Sequence, residues 1–211
     1  MGRPKLLLPW PISNPWPVSK KCDVEPSVAT LIDHVLQVWT SSRVDEIIVI
    51  VRGDDPALLK ACQRWKVSIV QPEIAPIDMK ESVQHGLRYL QKFNPGNQDC
   101  CFVAPADLPN LSAHVIDRLI DTDPGRSTIV VPSFGGRLGH PVRLPWLLSN
   151  EILSLREDEG VDRVVARHPK IVLEFPAEEW EDDIDTPEEY QSALKSAFKR
   201  NNNGIEPSDI R

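Results

Sequence analysis

Asp107 is the residue from which a chemical reading of this chain starts. It closes the apolar run "CFVAPAD" (101–107) and so stands at the carboxyl edge of a strand, just before "LPNLS" turns into a helix. A bare carboxylate there suits a Mg2+ ligand, because that ion takes few protein oxygens and keeps room for phosphates. An aspartate in a strand-to-helix turn is the plainer alternative. A second acidic group lies in "EDDIDTPEEY" (181–190). Thr186, Pro187 and Glu189 there spell a capping box, with threonine as cap, proline first and glutamate third. That leaves Asp182, Asp183 and Asp185 clustered in the loop upstream. A solvated acidic run would account for them. A metal shared by Asp107 and one of the three would relieve their repulsion and account for both clusters. Asp183 is the expected ligand, since Asp185 adjoins the cap.

The cationic counterpart is "GRPKLLLP" (2–9). Lys5, beside a proline-stiffened backbone, can reach anionic oxygens as a point charge, and Arg3 can grip them in a fork. A solvated charge pair is the other reading. In "GGRLGHPV" (135–142) Gly135 and Gly136 make a turn. Gly139 lets backbone approach a neighbour closely, and His140, held between glycine and proline, could present its ring to a substrate or serve the fold.

These residues need a frame, and the hydrophobic pattern supplies one. "EIIVIV" (46–51), "VSIV" (67–70), "CCFVAPAD" (100–107), "STIVVPS" (127–133), "PVRLP" (141–145) and "KIVLEF" (170–175) read as strands, the first and third buried. Between them "TLIDHVLQVW", "DPALLKACQRW", "MKESVQHGLRYL", "SAHVIDRLI", "WLLSNEILSL", "VDRVVAR" and the segment from "TPEEY" read as helices. Asp55 and Ser112 cap two of them. Strands alternating with helices predict an α/β fold, a Rossmann-like three-layer sandwich with a mostly parallel sheet, which binds ligands beyond the carboxyl ends of its strands.

Composition narrows the class. The chain has 211 residues, 41% of them hydrophobic, enough for one well-buried core, and a net charge of −7 that excludes a general nucleic-acid surface. No apolar run approaches the roughly 18 residues that span a bilayer, so no membrane partner is expected. Cys22, Cys62, Cys100 and Cys101 have no metal-ligand spacing; Cys100 and Cys101, inside an apolar run, read as small buried thiols, and reduced, structural cysteines in a cytoplasmic protein are the expectation. Proline, at 20 residues, is about twice its usual share and concentrates at 9–27, which reads as an insertion loop over 11–27. The domain is expected to span 1–198, with 199–211 a disordered tail.

In their order and spacing, "MGRPKLLLP", "VAPADLPNLS", "GRLGHPV" and "DIDTPEEY" resemble the MobA-like NTP transferases, and within them the molybdenum-cofactor cytidylyltransferase branch. The resemblance covers residues 1 to about 195. It implies a Mg2+-dependent nucleotidyltransferase that moves an NMP group from an NTP, CTP favoured, to a phosphorylated acceptor such as a molybdopterin-type cofactor, with pyrophosphate released. By position it implies that Lys5 and Arg3 bind the triphosphate and that Asp107 and Asp183 hold the metal. Ser82, in "SVQHG", would lie near the base. Gly139, His140 and Arg163, the last in "EGVDRVV", would shape the acceptor site. A molybdoenzyme or a second copy of the chain is the implied protein partner. The family's "LAAG-x-S-x-R", its first strand and glycine-rich phosphate turn, does not precede Met1 here. The expectation is a start misplaced downstream or a sheet lacking its first strand. Asp78 stands where a glycine is usual. Those two departures favour an alternative function, a degenerate nucleotide-fold protein that binds without catalysis. "APADLP" in place of an Asp-x-Asp speaks against a sugar transferase.

Overall fold

The computed structural model of the chain describes residues 4–11, 29–123, 125, 127–177 and 186–202. A 3₁₀ turn at Lys5–Leu7 is followed by α1 (Leu31–Ser41), β1 (Ile48–Ile50), α2 (Pro56–Cys62), β2 (Ser68–Val70) and α3 (Met79–Leu90). Then come β3 (Cys100–Val103), α4 (Ala113–Asp121), β4 (Ile129–Phe134), β5 (Arg137–Leu138), β6 (Val142–Pro145) and α5 (Ser149–Leu153). The chain continues through α6 (Val161–Arg167), β7 (Lys170–Phe175) and α7 (Pro187–Asn202). α7 thus runs past the expected domain boundary at 198.

The caps legible in the sequence form. Asp55 Oδ1 accepts from Leu58 N at 2.9 Å, with Pro56 in the first turn of α2. Ser112 Oγ accepts from Val115 N at 3.3 Å. The box at α7 closes reciprocally, Thr186 N to Glu189 Oε2 at 2.7 Å and Glu189 N to Thr186 Oγ1 at 3.1 Å.

The fold is α/β, but the large sheet is not mostly parallel. Its order is β3-β6-β4-β5 with β7 added on β4; β3–β6, β6–β4 and β4–β5 are antiparallel, and β4–β7 alone is parallel. The reason is the Gly135-Gly136 turn. Its φ values of 57° and 83° are the left-handed pair that a two-residue hairpin requires, so the chain reverses after β4. Only seven residues separate β4 from β6, too few for a parallel crossover. β6 therefore returns between β3 and β4 in the opposite sense.

Helices cover both faces of this sheet. Ile129 and Val131 of β4 pack with Leu87 of α3, Ile152 of α5 and Val164 of α6. Val130 and Phe134, on the other face, pack with Val115 and Leu119 of α4 and with Phe175. All six residues of β4 are buried. β1 and β2 form a separate parallel pair, Ile48↔Ser68 to Ile50↔Val70, and all six of their residues are only half-buried. β1 and β3 each pair along one edge among the described residues. The expectation that both are buried strands fails here, because an edge strand keeps solvent on one side. Cys101 of β3 is buried, whereas Cys100 is exposed.

α1 ties the small sheet to the rest. Leu31 and Val35 face a cluster with Trp10, Leu108, Leu111 and Ala197. Ile32 and Leu36 face Val51, Leu58, Cys62 and Trp65. No helix among the described residues is long and apolar enough to cross a membrane.

Candidate active site

Lys5 and Asp107 are 102 positions apart in sequence and meet in space: Lys5 Nζ stands 2.6 Å from Asp107 Oδ2. Each is placed by a local feature. Pro4, with φ −57° and ψ 127°, sets the entry to the 3₁₀ turn that carries Lys5, and Leu7 N closes that turn on Pro4 O at 3.0 Å. Asp107 follows β3 by way of Ala104-Pro105-Ala106, and Leu108, beside it, is 1% exposed and anchors the segment. Leu6 packs against the core on both sides of α1, and Ala106 packs in the same cluster as Val51 at the end of β1. The pair therefore lies where β1 and β3 end, as open α/β sheets place their ligands.

The pair is neither buried nor free in solvent. The Lys5 and Asp107 side chains keep 28% and 23% of their exposure. Asp107 makes this one contact among the described residues, none of which engages its Oδ1. A cation held on one carboxylate oxygen, with the second open, is an arrangement that can exchange partners with an incoming anion and its counter-cation.

Arg3 and Asp183 lie outside the described residues, as do Asp182 and Asp185. Among the described residues no group of three or more His, Cys, Asp or Glu is arranged to hold a metal. Ser82 is half-buried in the first turn of α3, where its hydroxyl donates to Asp78 O at 3.2 Å. Asp78 is the cap of that helix, accepting from Glu81 N at 2.8 Å. Its negative charge, which sequence reasoning set against a nucleotide, thus has a local use.

Gly139 and His140 lead from β5 into β6. Gly139 N donates to Pro132 O at 2.8 Å, and His140 is half-buried ahead of the buried Pro141. Arg163 sits elsewhere, on α6, 3.9 Å from Glu159 Oε1 and 55% exposed. Glu159 also accepts from Arg167 Nη2 at 2.8 Å and from Arg156 N at 3.2 Å. The Arg156 amide first, then Arg167, hold its carboxyl below the usual glutamate range. Arg163 is therefore one arm of an ion network joining α6 to the loop after α5, and its contacts among the described residues do not reach the Lys5–Asp107 pair.

Sequence reasoning passed over two residues that organise this region. Asp33, fully buried in α1, accepts from Thr30 N and Oγ1, from Arg64 Nη2 and from Trp65 Nε1. The threonine three positions before Asp33 was the available signal. Lys80, 7% exposed, donates to Arg156 O and Glu157 O at 2.9 Å each, fastening α3 to the loop that carries Glu159. No pattern in the sequence marks it.

A family model described as the MobA-like NTP transferase domain matches residues 1–172. The purine catabolism protein PucB of Bacillus subtilis (strain 168) is 28% identical over 199 residues, which are 93% of this chain and 90% of PucB. Among solved structures, Rv0371c from Mycobacterium tuberculosis H37Rv superposes with a TM-score of 0.72 at 22% identity, over 92% of this chain and 90% of that one. Its complex with manganese gives 0.64 at 24% identity, covering 92% and 93%. Molybdopterin-guanine dinucleotide biosynthesis protein A from Archaeoglobus fulgidus gives 0.58 at 16%, covering 84% and 90%. The likeness to these structures is one of fold.

Proposed function

The chain belongs to the MobA-like NTP transferase family, and from that premise we propose that it moves CMP from CTP onto a phosphorylated small-molecule acceptor. The proposed acceptor is of the molybdopterin type, and the second product is pyrophosphate. The observation that carries the reading is the Lys5–Asp107 pair, a cation and a half-open carboxylate where β1 and β3 end.

The transfer needs little covalent help from the protein. An acceptor phosphate oxygen attacks the α-phosphorus in line, a new P–O bond forms, and the bond to the β-phosphate breaks as pyrophosphate leaves with the electron pair. The work is positioning and charge neutralisation. Lys5 would meet the triphosphate as a point charge, with Arg3 as a second cation. Gly139 and His140 would border the acceptor, Arg163 would attract its anionic group, and Ser82 would stand near the base.

A divalent cation, Mg2+ in this proposal, fits Asp107. Its Oδ1 is unengaged among the described residues, its site admits solvent, and one or two carboxylates with phosphates are the ligand set that ion favours. Asp107 would hold it with Asp183, and when bound it would neutralise charge on the phosphates. Binding without transfer loses one of its supports, because the Asp78 carboxylate is engaged in capping α3.

The deciding experiment incubates the purified protein with Mg2+, one NTP at a time and a molybdopterin-type acceptor, and follows pyrophosphate. Acceptor-dependent release that is fastest with CTP is expected. Release with another NTP would move the base assignment. No release with any NTP would overturn transfer.

A further inference from the structure

We propose that Tyr190 of α7 is a positioning residue for the Lys5–Asp107 pair, acting through a bridge of aromatic rings that holds both members. α7 begins at Pro187, beyond residue 172 where the family match ends. Its Tyr190 hydroxyl donates to Pro9 O at 2.5 Å. Pro9 stands four residues after Lys5; between them Leu8 O accepts from Leu31 N at 2.9 Å, and just beyond Pro9 Trp10 N donates to Ala29 O at 2.8 Å. The Trp10 ring is 3% exposed, and its indole N–H has no hydrogen-bond partner among the described residues, so packing alone holds it. The packing comes from Tyr190, with ring centroids 6.2 Å apart, and from His34 of α1, at 5.9 Å.

The same bridge reaches the other member. His34 Nε2–H donates to Pro109 O at 3.0 Å, two residues after Asp107. Leu108 and Leu111 share one buried cluster with Trp10 and with Ala197, two turns along α7 from Tyr190. Lys5 and Asp107 thus sit on two short segments with no strand pairing between them, and α7 with α1 clips both. Burial raises the Tyr190 pKa, so the phenol stays a proton donor at neutral pH. The inference rests on the proposed function only in treating Lys5 and Asp107 as the working pair.

The test reads Lys5 directly in the full chain. Wild type, Tyr190→Phe and Tyr190→Ala are treated with a limiting amine-acetylating ester, and labelling of Lys5 is measured by peptide mass against the exposed Lys60 and Lys66. Losing one hydrogen bond that closes the segment should speed Lys5 labelling roughly two- to tenfold in Tyr190→Phe, with Lys60 and Lys66 unmoved. Tyr190→Ala should give a larger rise. A uniform rise at all three lysines in Tyr190→Ala means that variant has unfolded, and Tyr190→Phe then decides alone. An unchanged Lys5 ratio in Tyr190→Phe overturns the proposal. Adding MgCTP to wild type is the separate arm: absence of Lys5 protection would count against the nucleotide reading and leave the positioning result standing.

Discussion

Asp33 and Asp107 each hold a cation at close range, 2.7 Å to Arg64 and 2.6 Å to Lys5, and the resemblance ends there. Asp33 has no exposed surface, and both of its oxygens are taken, Oδ1 by Arg64 and Trp65, Oδ2 by Thr30 and Arg64. A carboxylate so enclosed is stable only while every partner stays, so it serves as a structural pin. Asp107 has one partner among the described residues, which leave its other oxygen open, and it keeps contact with solvent. It can trade that partner at small cost, which a binding site requires. What separates the two is the number of donors that converge on each, not the charge pair itself.

The largest expected effect comes from removing the open carboxylate. Asp107→Ala should lower metal-dependent turnover about a thousandfold while the melting temperature barely moves. Turnover close to wild type would dissolve the functional half of the contrast. Asp33→Ala should do the reverse. It removes the carboxylate that accepts from Trp65 Nε1 and from Arg64 Nη2, and should cost about 3 kcal/mol, at the lower end for a broken buried pair because Arg64 keeps 32% exposure. A denaturation midpoint equal to wild type would show that the pin carries nothing.

His140→Ala sharpens the comparison at the site's other side. It should raise the acceptor KM about tenfold and leave the NTP KM nearly unchanged. The opposite pattern would move His140 to the nucleotide side.

Glu159 lies between the two extremes, a nearly enclosed carboxylate whose partners are exposed arginines. Its pKa is lowered in the folded state, so its contribution is present above the ordinary glutamate value near 4.5 and is lost as pH falls below it. The gap in melting temperature between wild type and Glu159→Gln should therefore close as pH falls from about 5 through the lowered Glu159 value. A gap independent of pH would assign the effect to packing.

The smallest effect tests the same principle on thiols. Burial pushes Cys101 up to about 12, and burial with the nearby Asp33 charge pushes Cys62 up to about 11. At about pH 8 iodoacetamide should label Cys100 in the folded protein and reach Cys62 and Cys101 only on unfolding. Labelling of Cys101 at the Cys100 rate would mean that β3 opens locally.

Much of the frame is legible in the sequence. α1, α2, α3, α4 and the start of α7 follow from apolar spacing with Asp55, Ser112 and Thr186 as caps, because these are interactions within a few residues. The direction of β6 is legible too, against the expectation of a mostly parallel sheet: a glycine pair followed so soon by another strand allows only a return, not a crossover. Ser82 could be placed on a helix from its pattern, but not its hydrogen bond to Asp78 O, which depends on how that helix is capped.

By itself, then, the sequence determined the periodicities, the caps, the hairpin turn and the chemical types available at Lys5, Asp107, His140 and Arg163. Each depends on backbone preference or on neighbours three or four positions away. Tertiary structure alone decided which of those groups meet. It brought Lys5 onto Asp107 and left Arg163 in an ion network with Glu159. It buried Asp33 under Arg64 and Trp65, and laid α7 across Pro9 and Trp10. Contacts between residues so far apart in sequence arise from burying separate apolar faces in a common core, and local pattern carries no record of that partner choice.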